Sequence, residues 1–165
     1  IIEGTAIAKD FTHIYASSFY YNEHGEPCWP AQVINYTNKT QFLFRIEKGI
    51  LDINDNAVND HFAEGELRVP FRNIVYIGDS ATDIPCMRLV NSLGGHSIGV
   101  YDLENAASKD TVRRMIRDER IRYYVPADYT KGSEMDTLMH RIIDKTAAYE
   151  VLEEKHLRDR KEAVD

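Results

Sequence analysis

The sequence predicts an α/β fold, a parallel β-sheet with helices on both faces and a β-hairpin ahead of it. Three observations carry this. From residue 73 onward, short β-rich runs at 74–77, 97–101 and 123–125 alternate with helical patterns, the order that builds βαβ units. The first run stops at Gly78-Asp79, and Pro85 follows at the start of the next helical pattern. A glycine turn followed by a first-turn proline marks a strand–loop–helix junction. Upstream, two extended segments flank Asn22-Glu23-His24-Gly25-Glu26-Pro27, strong turn chemistry that predicts a hairpin over about residues 11–36.

The elements follow in chain order. Ile1-Ile2-Glu3-Gly4 begins without Met and in mid-pattern, and reads as a helix already under way in a longer protein. Residues 13–21 and 29–36 supply the hairpin strands, with Phe19, Tyr20, Tyr21 and Trp29 expected to pack across them. Thr37-Asn38 are placed to cap a helix over 39–48, with Phe42, Leu43 and Ile46 as its apolar stripe and Gly49 as its stop. Residues 51–67 are polar and Asn/Asp-rich, a loop with a helical turn. A helix over about 84–93 ends at Gly94-Gly95, and another spans 105–120. The last runs from 133 to about 160, on a stripe of Met135, Leu138, Met139, Ile142, Ile143 and Thr146. Residues 1–150 are therefore assigned to the folded core portion. Residues 151–165 are the charged, exposed end of the last helix.

Composition narrows the partners. The 165 residues include 43% apolar and 28% charged residues, with a net charge of −7. That balance argues against nucleic acid or an anionic membrane. The densest basic cluster, from Arg113-Arg114 to Arg122, is interleaved with Asp118 and Glu119. No apolar run reaches membrane-spanning length and no signal peptide is visible. The two cysteines, Cys28 and Cys86, make neither a disulfide framework nor a zinc site, and a cytoplasmic setting is expected.

The chemistry concentrates at Asp79 and Asp83. Both fall on a loop at the C-terminal edge of the expected sheet, where open α/β sheets bind ligands. Paired carboxylates there suit a hard cation such as Mg²⁺. Asp52-Ile53-Asn54-Asp55-Asn56 begins like a calcium loop, but Ala57 stands where glycine is needed and Ala63 where Glu is needed. His96 reads as a structural histidine.

The segment 77–85, Ile-Gly-Asp-Ser-Ala-Thr-Asp-Ile-Pro, preceded by Asn38-Lys39-Thr40 at a helix start, resembles the third and fourth motifs of the haloacid-dehalogenase-like hydrolase superfamily. The nearest likeness is to its phosphoserine-phosphatase-like members. Hairpin, lysine helix, acidic loop and Gly-Val-Tyr strand occur in that family's order, over most of residues 1–145. The resemblance implies a Rossmann-like sheet, Mg²⁺ held by Asp79 and supported by Asp83, and Lys39 as the catalytic cation that screens phosphate. It implies a small phosphorylated metabolite as substrate and an aspartyl-phosphate intermediate.

The departure from that pattern is the nucleophile. No Asp-x-Asp occurs in the chain, and Ser17 and Ser18 fall within a hairpin strand, poorly placed for the second motif. The expectation is a C-terminal portion whose nucleophile lies in a missing N-terminal half of the same protein. A receiver-type domain fits less well, since its lysine follows its acids. The alternative is a non-catalytic Rossmann-like binding or scaffold domain with a vestigial acidic loop.

Overall fold

The computed structural model describes residues 1–164. The chain opens with two short 3-10 turns, Ile2–Gly4 and Ala8–Asp10, in place of the expected continuing helix. Neither turn buries a residue, and a helix with no face to pack is not sustained in water.

Strands β1 (Ser18–Tyr21) and β2 (Pro27–Gln32) form the antiparallel hairpin. Asn22 shapes its turn. Its Oδ1 accepts from the backbone N–H of His24 and Glu26, each at 2.9 Å, while Gly25 takes φ +76°. The strands are shorter than the β-rich pattern at the hairpin base, leaving out residues 13–17 and 33–36, and their register shifts between Ser18 and Phe19 and between Tyr20 and Tyr21.

Helix α1 (Lys39–Lys48) ends as expected, on Gly49 at φ +75°. Its start differs from expectation. The Asn38 side chain caps no helical N–H. It turns back, accepting from Asn35 N–H at 2.9 Å and donating to the Val33 carbonyl at 2.7 Å. The hairpin exit is thereby tied to the helix that carries Lys39. Arg45 is buried, and its guanidinium donates to the carbonyls of Ile50, Asp52, Ile53 and Asp55. Loop 50–60 curls around that internal cation.

Three parallel strands follow, β3 (Val75–Gly78), β4 (His96–Tyr101) and β5 (Tyr123–Pro126), in the order β3-β4-β5. Register pairs Gly78 with Gly99 and Val100 with Val125. Helices α2 (Ile84–Ser92) and α3 (Ala106–Arg117) connect them, and α4 (Glu134–Glu162) closes the chain.

Strand parity sorts the core into two layers. Tyr76, Tyr101 and Tyr124 face α2 and α3, packing with Met87, Val112 and Met115. Leu43 of α1 joins that side against Cys86 and Val90. Ile98, Val100 and Val125 face α4 through Met135 and Ile142. Gly99 lets α3 and the loop after it approach, since a Cβ there would meet Val112 Cγ1 at 3.1 Å and Ile121 Cδ1 at 2.7 Å. Ile143, expected in the α4 stripe, is exposed. It sits one residue past Ile142, which at 3.6 residues per turn points away from the sheet. Among the described residues no helix is long and apolar enough to cross a membrane.

Candidate functional site

Strand β3 delivers the acidic loop to the C-terminal edge of the sheet. After Gly78 the chain passes Asp79 and Ser80 and winds one 3-10 turn, Ala81–Asp83, into α2. Pro85 lies in the first turn of α2, as the sequence suggests. Gly78 is not among the glycines at positive φ. Its role is clearance, because a Cβ at this position would lie 2.8 Å from the Asp83 carboxyl carbon. The Asp83 side chain folds back onto bare backbone.

Asp83 is 6% exposed, and both its oxygens are satisfied. Oδ1 accepts from Lys39 Nζ at 2.7 Å and from the Tyr76 hydroxyl at 2.8 Å. Oδ2 accepts from the Ser80 hydroxyl at 3.1 Å and the Ser80 N–H at 3.4 Å. Burial alone would push this carboxyl up. The Lys39 ammonium and the two hydroxyls outweigh it and hold the group below the usual carboxylate range. Tyr76 responds in the opposite direction. Burial first, then the charge it donates to, drive its phenol far above the usual tyrosine value. Cys86, beside Tyr76, is likewise raised by burial. At neutral pH the cluster therefore holds one ammonium, one carboxylate, a neutral phenol and a neutral thiol.

Asp79 is the counterpart. It is exposed, and no protein hydrogen bond to its carboxylate is present among the described residues. It faces an open cleft of about 680 Å³ that also touches Lys39, Tyr76 and Asp83, with Asp102, Asn105 and Ser108 on the far wall. The structure thus brings Lys39, Asp79 and Asp83 to one crevice, although 44 residues separate Lys39 from Asp83.

Two participants escape the sequence reading. Tyr76 lies two residues before Gly78, so strand parity puts both on one face. Its hydroxyl could have been placed beside Asp83 from that spacing. Asp102 directly follows β4 as Asp79 follows β3. Acids just past successive parallel strands share the same edge, a signal present in the sequence.

The donor set suits a cation that keeps most of its water. Asp79 offers a free carboxylate. Asp83, with its lone pairs taken, reaches a metal only through water while it holds Lys39. Mg²⁺ is commonly held by one or two carboxylates plus waters and substrate phosphate, so the residues fit it. No group of three or more His, Cys, Asp and Glu side chains assembles into a ready metal cage among the described residues.

The remaining singled-out residues lie elsewhere. The Asp52–Asn56 stretch offers backbone carbonyls to Arg45, while the Asp52 and Asp55 carboxylates accept from the N–H groups of Asn54 and Ala57. His96 opens β4 at the edge opposite the cleft, 1% exposed and stacked on Tyr123. Cys86 is buried and Cys28 exposed. Ser17 accepts from the Ile34 N–H at 2.9 Å within the hairpin. Tyr20 sits across from Trp29 as expected, yet both remain exposed.

No protein-family model matches the chain, and no solved structure matches it. An uncharacterized protein of Borreliella burgdorferi is 26% identical over 102 residues, covering 62% of this chain and 34% of that protein. The matched segment therefore spans about a third of the relative's length.

Proposed function

We propose that this chain is the C-terminal part of a haloacid-dehalogenase-like, Mg²⁺-dependent phosphomonoester hydrolase. The observation that carries the reading is the meeting of Lys39 with the acidic loop at the C-terminal edge of a parallel sheet. Lys39 and Asp83 form a buried-to-surface ion pair, and the ammonium is about one-third exposed on the cleft side. Held at one end by Asp83, it is oriented rather than free, a point charge suited to a phosphate oxygen. Tyr76 and Ser80 fix Asp83, which in turn fixes Lys39. Asp79 keeps its carboxylate available for the metal. Bound there, Mg²⁺ would supply neutralisation of phosphate oxygens and a template for in-line attack. In this reading the attacking carboxylate, and hence the aspartyl-phosphate, belongs to another part of the same protein, since the chain has no Asp-x-Asp. The substrate class is a small phosphorylated metabolite.

One observation favours a second reading. Asp83 is fully committed to protein donors, as in a structural ion pair, which suits a non-catalytic Rossmann-like scaffold with a vestigial acidic loop.

The two readings part on metal and turnover. Hydrolysis of p-nitrophenyl phosphate is measured with and without Mg²⁺ for the full gene product, its Asp79→Asn variant and this chain alone. The hydrolase reading expects Mg²⁺-dependent turnover by the full protein, its loss by at least about a hundredfold in Asp79→Asn, as for removal of a principal catalytic electrostatic group, and none from this chain alone. A folded full protein that is inactive and indifferent to Mg²⁺ would support the scaffold instead. Robust turnover by this chain alone would overturn the missing-nucleophile argument.

A further inference from the structure

We propose that the outer edge of β5 carries a binding site for a small organic carboxylate, an apolar body ending in one acid group. The site is separate from the acidic cleft, and the proposal does not rest on the hydrolase reading.

β5 is the last strand of the sheet, with β4 on one side and no strand on the other among the described residues. Arg122, just before it, donates its N–H inward to the Ser97 carbonyl at 3.3 Å. Backbone groups alternate sides along a strand, so Tyr123 and Val125 turn theirs outward. That edge is flanked by α3 on one face, through Ile116, and by the first turns of α4 on the other, through Thr137 and Leu138. Between them lies a cavity of about 480 Å³, within the size range that small ligands fill.

The cavity is apolar in its middle and charged at its ends. Val125, 3% exposed, and Leu138 supply the apolar wall. Helix α4 begins beyond the end of β5 and runs back along it, so that Lys145 reaches His96 at the start of β4. Arg141 lies one turn before Lys145 and therefore comes level with Arg122. Both guanidinium groups line the same end of the cavity. No carboxylate pairs with either among the described residues. Arg122 gives one N–H to the Gly95 carbonyl at 3.1 Å, which leaves the rest of its fork free. The acid on the lining, Glu134, sits two turns away in the first turn of α4, about 10 Å from Arg141 at 1.5 Å per residue. The helix dipole accounts for its place there.

The occupant follows from charge and shape. Two unpaired arginines at one end of an apolar cavity, on a chain of net charge −7, call for an anion. The planar arginine fork matches a carboxylate bidentately. Glu134 repels a second acid group at the far end, so the ligand carries one. A further strand from elsewhere in the protein is matched less well. β5 has four residues and ends in Pro126, and a short edge strand closed by proline discourages added strands.

Isothermal titration calorimetry on the full gene product and on this chain follows 3-phenylpropionate and hexanoate, each beside its neutral amide. Hydrogen–deuterium exchange locates the bound acid. Both acids should bind, with protection over residues 122–126 and 132–141. The amides should bind at least about tenfold more weakly, as for loss of a charge-assisted hydrogen bond. Arg141→Gln and Arg122→Gln, both at exposed positions and checked by circular dichroism, should weaken the acids by a similar factor and leave the amides unchanged. Absence of binding by both acids would overturn the proposal. So would equal binding of acid and amide, indifference to both folded variants, or protection confined to other segments. Binding by this chain but not by the full gene product would overturn it too, by showing that another part of the protein fills the cavity.

Discussion

Asp83 is the residue on which the cleft depends, and its protonation makes a prediction with a definite sign. The folded protein holds its carboxyl below the ordinary value of 3.8. The unfolded chain therefore takes up this proton first as pH falls, and stability drops with it. The contribution is fully present above pH 3.8 and is lost as pH falls below it through the folded value. Urea midpoints at pH 6 and pH 3 should show this loss in the wild type and a smaller one in Asp83→Asn; equal losses would show that Asp83 does not carry it. Gly78 gives a second test. Gly78→Ala puts a methyl 2.8 Å from the Asp83 carboxyl carbon, an overpacking cost of about 1–3 kcal/mol, read as a lowered denaturant midpoint. Gly78 and both acids were legible in the sequence. The clearance role of Gly78 was not, because it depends on how the 3-10 turn folds Asp83 back.

At the scale of elements, α1 does two jobs with opposite ends. Its first residue reaches the cleft, and its buried Arg45 organises the loop that follows. Four carbonyls converge on that guanidinium. Arg45→Met keeps the length of the side chain and removes every donor. Hydrogen bonds to charged groups contribute about 1.5–3 kcal/mol each, less where water replaces them. With the loop largely at the surface, a loss of about 2–3 kcal/mol is expected, together with faster amide exchange and proteolysis across residues 50–60. Unchanged exchange there would show that the loop holds itself. The helix itself was plain in the sequence from its apolar stripe and Gly49 stop. Arg45 was hidden because its partners are backbone carbonyls, which leave no trace in residue identity. The parallel sense of β3, β4 and β5 was legible from the alternation of runs. The 3-10 turns at the N-terminus were not, since whether an apolar pattern continues as helix depends on what it packs against.

At the largest scale the described residues form two helix layers on a three-stranded sheet with a hairpin beside it, and the layer with the thinner cover carries a second response to pH. On that side α4 alone covers β4 and β5, and His96 lies beneath it at the start of β4. The ring is 1% exposed, stacked on Tyr123, with Lys145 Nζ 3.4 Å from Nε2 and Nδ1 without a partner. Burial, then the charges of Lys145 and Arg122, push its pKa below the ordinary 6.5. The folded state therefore holds His96 neutral where the unfolded chain is already protonated. By linkage, stability is full above pH 6.5 and falls as pH drops below it, until the folded value is reached. One such proton gives a slope of at most about 1.4 kcal/mol per pH unit. Chemical denaturation at pH 7.5, 6 and 5 should show this decline in the wild type. His96→Phe keeps the stacked ring and removes the proton site, and should flatten the curve over that range. Because α4 meets the sheet here, the acid-side opening should appear first as amide exchange in β5 and in α4 near Ile142, with the Lys39–Asp83 pair on the opposite edge still closed. A decline that survives His96→Phe, or exchange that begins in the cleft, would place the acid-sensitive seam elsewhere.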